Sequence, residues 1–66
     1  MSAEPEFYSF REDTSPEAIR EAAERQHQDG ATFFRATLAD GGVWIEGWRE
    51  RPEEEPPFNP PRVPAP

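Results

Sequence analysis

Residues Ala31–Arg51 read ATFFRATLADGGVWIEGWRER, two alternating runs on either side of Asp40-Gly41-Gly42. Asp-Gly between such runs is the strongest short-range signal for a two-residue hairpin turn. With Asp40 and Gly41 in the turn, Ala39 faces Gly42. Leu38/Val43, Ala36/Ile45 and Phe34/Gly47 then share one face, and Thr37/Trp44, Arg35/Glu46 and Phe33/Trp48 share the other. One face is aliphatic and the other sets an ion pair between aromatics, so a single register satisfies both. Moving the turn to Gly41-Gly42 would bring Arg49 opposite Phe34 on the aliphatic side. An odd-length loop would oppose Leu38 with Trp44 and Ala36 with Glu46.

Upstream, Glu6–Arg11 (EFYSFR) is short and dense in aromatics and predicts a strand, with Tyr8 and Phe10 on one face and Phe7 and Ser9 on the other. A helix start follows. Ser15 as N-cap puts Pro16 at the first helical position, and Thr14-x-x-Glu17 offers a capping box one residue earlier. The helix is expected to run to about Gln28, with Asp29-Gly30 as its stop and Gly30 left-handed. Its apolar stripe is Ala18, Ile19, Ala22 and Ala23, continuing weakly to Gln26. Opposite lie Glu17, Arg20, Glu21, Glu24 and Arg25, where Glu21–Arg25 and Glu17–Arg20 can pair.

The fold class is therefore α+β: a small β-α-β-β domain, a three-stranded sheet with one helix on one face, followed by a Pro-rich C-terminal tail. Val43–Trp48 is expected in the middle of the sheet, antiparallel to the Tyr8 strand; the alternative order places that strand beside Phe33–Ala39. The helix is expected to cover Phe34, Ala36, Leu38, Val43 and Ile45. Three segments result: residues 1–5 as a flexible N-terminus, 6–51 as the domain, and 52–66 as a Pro/Glu-rich tail. Seven of the nine prolines fall in that tail, which excludes helix and central strand and predicts polyproline II or disorder.

Composition narrows the function. At 66 residues the chain is expected to hold one domain, near the lower limit for a self-sufficient core. A net charge of −7, with every basic residue an arginine, argues against gripping a phosphate backbone. Without cysteine there is no disulfide framework and no thiolate metal site. No apolar run has the length of a signal h-region or a membrane span, and the expected location is the cytoplasm (a host's, if the chain is phage-encoded).

Chemistry is sparse. The 14 carboxylates lie at termini, on a solvated helix face or beside arginines, whereas a catalytic pair needs surroundings that drive two pKa values apart. His27 stands alone at the helix end, where the C-terminal dipole accounts for it, and it has no companions at metal-ligand spacing. Gly41-Gly42 lacks the helix and lysine of a phosphate-binding loop. No catalytic residue, cofactor or metal is expected.

One feature resists a merely structural explanation. A single helix covers one face of the sheet, so Phe33, Arg35, Thr37, Trp44, Glu46 and Trp48 need another cover, with Phe7 expected to join them. A contiguous aromatic patch of this kind marks an interaction surface. Three covers are conceivable: the proline-rich tail, with Phe58 and Val63 as plugs; a second copy; or a foreign protein. The candidate partner-binding residues are Phe33, Arg35, Trp44, Glu46, Trp48 and Phe58. The tail also carries Pro57-Phe58-Asn59-Pro60-Pro61-Arg62, a weak fit to the PxxPx(basic) pattern of SH3-type ligands.

The functional expectation is a non-enzymatic protein-binding module, monomeric or homodimeric, that occupies a surface on a protein partner and binds neither nucleic acid nor membrane. By format alone, the sharpest form is an inhibitor of a host machine carried by a phage or mobile element, of the anti-defence or anti-CRISPR kind. The first alternative is a structural or accessory subunit, self-associating or part of a phage particle. The second is an acidic DNA mimic, against which Arg20, Arg25, Arg35 and Arg49 break up the acidic surface.

Overall fold

The chain alternates its apolar residues with a period of two over three stretches and of about 3.6 over one, and each stretch becomes the element its period dictates. The computed structural model describes residues 4–39 and 41–59. Within them β1 is Phe7–Arg11, α1 is Pro16–Gln28, β2 is Phe33–Ala39 and β3 is Gly42–Trp48. Residues 1–3, the expected turn residue Asp40, and the tail from Pro60 onward, with Pro61, Arg62 and Val63, lie outside the described residues.

The sheet order is β1-β3-β2, with both pairings antiparallel. The β2–β3 register is the expected one: Leu38 opposes Val43, Ala36 opposes Ile45, Arg35 opposes Glu46, and Ala39 closes on Gly42. Two residues remain for the turn, and Gly41 takes φ +78°, the left-handed conformation that a primed hairpin turn requires. β1 joins the other side of β3, pairing Tyr8 with Glu46 and Phe10 with Trp44. Directly opposed residues share a face, so Phe7, Ser9, Val43, Ile45 and Gly47 lie on the helix side with Phe34, Ala36 and Leu38.

The ends of α1 follow local chemistry. Ser15 is the N-cap, its Oγ accepting from the Ala18 amide at 3.2 Å, while the Asp13 carboxylate accepts from the Ser15 amide at 2.9 Å. The cap thus forms at Ser15 rather than through the Thr14 box. At the other end Gly30 has φ +117°, and the amides of Gly30 and Ala31 return to the carbonyls of His27 and Gln26 at 3.0 Å each. That is a Schellman ending, satisfying two carbonyls the helix would otherwise leave open. The ion pair on the solvent face is Arg20–Glu24, 3.7 Å apart, in place of the Glu21–Arg25 and Glu17–Arg20 pairs the spacing offered. Both groups are mostly exposed, and such a pair adds little stability.

Helix α1 packs on β3 and β1. Ala22, Val43 and Ile45 are buried together, with Ile19 against them. The expectation that the helix covers Phe34, Ala36 and Leu38 along with Val43 and Ile45 is corrected for β2: Leu38 is 72% exposed and Ala36 is exposed, with Phe34 half-buried. The reason is dimensional. A helix about 10 Å wide spans roughly two strand spacings of ~4.8 Å, and close approach draws α1 to the small residues at Ser9 and Gly47. The helix-side face of β2 is left open.

The turn generates a prediction. Gly41→Val places a β-branched residue at φ +78° and is expected to lower stability by about 1–3 kcal/mol. Gly41→Asn, which tolerates that conformation, should cost much less, because a Cβ at position 41 meets no atom within 4 Å. Thermal or urea unfolding of the two variants separates backbone strain from packing.

Candidate functional site

On the face opposite α1 the register brings Phe33, Arg35 and Thr37 of β2, Trp44, Glu46 and Trp48 of β3, and Tyr8 and Phe10 of β1 side by side. Its centre is an ion pair. Arg35 donates from Nε to Glu46 Oε1 at 2.7 Å and from Nη2 to Glu46 Oε2 at 3.0 Å, a two-pronged contact that uses both carboxylate oxygens. Glu46 is wholly buried, while a fifth of the Arg35 side chain is exposed. The guanidinium also lies over Trp48, 5.4 Å from the ring centroid. Hydrogen bonding to Glu46 holds the Arg35 pKa above its ordinary value, against the effect of burial.

Aromatic contacts spread from this centre. Trp48 meets Phe33 at 5.5 Å between centroids, and Trp44 meets Phe10 at 5.1 Å and Tyr8, edge-on, at 6.4 Å. These are ordinary distances for favourable aromatic pairs. The β1 contribution is therefore Tyr8 and Phe10; Phe7 lies on the helix side, beneath Arg49 at 5.3 Å, because a strand's side chains alternate. Burial and the negative charge of Glu46 raise the Tyr8 pKa, assisted by Glu4 and opposed by Arg35.

The cover that this face needs is present. Trp44 and Trp48 are only 4% and 2% exposed, so with Glu46 they form a second core on the side away from the helix. The tail supplies part of the cover: Arg35 Nη1 donates to the Pro56 carbonyl at 2.7 Å, Pro56 is buried and Phe58 is half-buried. Glu53–Glu55 stay exposed between the sheet and this contact, as a solvated spacer should. Of the candidate partner-binding residues, Phe33, Arg35, Trp44, Glu46 and Trp48 are brought into one cluster, and Phe58 follows two residues after the Pro56 contact.

The helix side holds a residue that pattern reading undervalued. Gln26 is buried, donating from Nε2 to Ser9 Oγ at 2.8 Å and to the Ile45 carbonyl at 2.9 Å. It ties α1 to β1 and β3 together, and it fits because Gly47 has no side chain: a Cβ there would collide with Gln26 Oε1. The only sequence signal was a glutamine continuing an alanine stripe. His27 Nδ1 donates to the Ala31 carbonyl at 2.8 Å, which assigns it to the helix ending. Among the described residues no three His, Cys, Asp or Glu side chains gather as a metal site, and no helix is long and apolar enough to cross a membrane.

No family model matches the chain, and neither does any curated protein or solved structure.

Two predictions follow from the ion pair and its neighbour. Arg35→Met strands a buried carboxylate and should destabilise at the lower end of about 3–5 kcal/mol, a large share of the stability of a domain this small. Arg35→Met combined with Glu46→Leu should recover most of that loss; a double-mutant cycle in urea measures the coupling. Tyr8 is the sole tyrosine, so tyrosinate absorbance reports it alone. Its midpoint is expected above the ordinary value of 10.0. With the folded-state pKa raised, the unfolded chain ionises first. The stability that the neutral Tyr8 phenol contributes is full below pH 10 and falls as pH rises through the folded-state value.

Proposed function

We propose that this chain is a non-enzymatic protein-binding module, and that it meets its partner through β2. The observation that carries this reading is Leu38, a large apolar side chain 72% exposed on an outer strand. Around it lie exposed Ala36 and half-buried Phe34 on the same face. Among the described residues the outer edge of β2 has no strand beside it, and its one charge, Arg35, is already held by Glu46. An edge without outward charge or proline is the kind that accepts an added strand. The matching partner segment is extended and apolar, running along β2 with a side chain against Leu38. The acidic balance of the chain favours a basic partner and steers approach more than it adds affinity.

The narrower form, an inhibitor carried by a phage or mobile element, rests on size, acidity and element order. A self-associating accessory subunit would use the same edge. Affinity co-purification with the intact chain, Leu38→Glu, and a Glu17/Glu21/Glu24 charge reversal tests these readings together. Leu38→Glu is expected to leave unfolding within about 0.5 kcal/mol of the parent and to weaken capture at least about tenfold, the scale of an interface anchor. Retained capture by Leu38→Glu together with loss in the charge reversal would transfer the function to the acidic helix face and to mimicry.

A further inference from the structure

Among the described residues the face carrying Trp44 and Trp48 has no helix above it, yet both rings are almost fully buried. At the centre of this face a proline-rich stretch of the same chain is held to Arg35 by a carbonyl. Pro56 is buried with its C=O accepting from Arg35 Nη1 at 2.7 Å. We propose that Tyr8, Phe33, Arg35, Trp44 and Trp48 form a groove for proline-rich segments, and that residues 56–58 are its resident ligand, exchangeable for a proline-rich segment of another chain.

The chemistry agrees on each count. Proline-rich ligands offer flat apolar rings and carbonyls that no internal hydrogen bond occupies, and they lose little chain entropy on docking. Their receptors supply aromatic walls with a donor between them. Here the aromatic walls come from all three strands, and the donor is a guanidinium pre-set by two bonds to a buried carboxylate. Arg35 spends Nε and Nη2 on Glu46, leaving Nη1 to meet the ligand carbonyl. The occupant is loosely tethered, since Glu53–Glu55 are exposed. A cleft of about 450 Å³ stays open beside its root, lined by Trp48, Arg51 and Pro52 among others. Removing the resident segment would therefore uncover a preformed site, while its tether keeps it at high local concentration against outside ligands.

The probe is a labelled synthetic peptide with the sequence of Glu53–Pro66, titrated into the full-length chain and into a full-length variant carrying Pro56→Gly and Phe58→Ser. A peptide of the same length with every proline replaced by alanine is the control. The variant is expected to bind the proline peptide saturably, at least about tenfold more tightly than the parent, whose own tail competes. Arg35 Nε–H and both indole N–H resonances should shift together as the peptide is added. Should the variant fail to fold, the proline peptide is expected to restore its circular dichroism and the alanine peptide is not. A folded variant that ignores the proline peptide, equal binding of both peptides, or an unfolded variant that the proline peptide does not rescue would each overturn the proposal.

Discussion

The guanidinium of Arg35 is the point through which the parts of this small protein are joined. It belongs to β2, grips a buried carboxylate of β3, lies over Trp48 and holds the backbone of the tail. Burying a carboxylate is costly, and only a partner that satisfies both oxygens makes it tolerable. A lysine, a point charge with no rigid fork, could not make the two-pronged contact and reach the Pro56 carbonyl with the same geometry. The second core depends on this: once the charges at 35 and 46 are mutually neutralised, Trp44 and Trp48 can pack around them without water.

Two thin cores thus share one sheet. On the helix side, Ala22, Val43 and Ile45 bury a small apolar volume, and Gln26 adds a polar clasp seated over Gly47. On the other side aromatics supply most of the apolar area. β3 faces both and is buried along its whole length, which is why a chain near the lower size limit for a self-sufficient core can still hold a defined sheet. The same economy leaves β2 incompletely covered, and Leu38 is its visible consequence.

Much of the fold was legible in the sequence. Asp40-Gly41 and the complementary pairs around it allowed only one sensible register; Ser15-Pro16 and Gly30 marked the helix ends; and antiparallel pairing with the Tyr8 strand favoured Val43–Trp48 as the central strand. The helix position was not legible, because an alanine stripe fits either pair of strands. Ser9, Gln26 and Gly47 decide between them only once brought together in space. The β2 and β3 residues of the tryptophan face were readable, and the tail was one of the covers the sequence offered; that the hydrogen-bonded contact falls at Pro56 was not, since it depends on where the chain lands. Reading Leu38 as core followed from its opposition to Val43, a rule about faces that is silent on how far the helix reaches.

The central claim is that one arginine fastens β2, β3 and the tail at once, and side-chain nitrogen NMR addresses it directly. With ¹⁵N-labelled protein, the Arg35 Nε–H is predicted to exchange with water far more slowly than those of Arg20 and Arg25, which lie exposed on the helix. It should also show cross-peaks from the Arg35 guanidinium to Pro56. Exchange as fast as that of the helix arginines, with no contact to Pro56, would contradict the account.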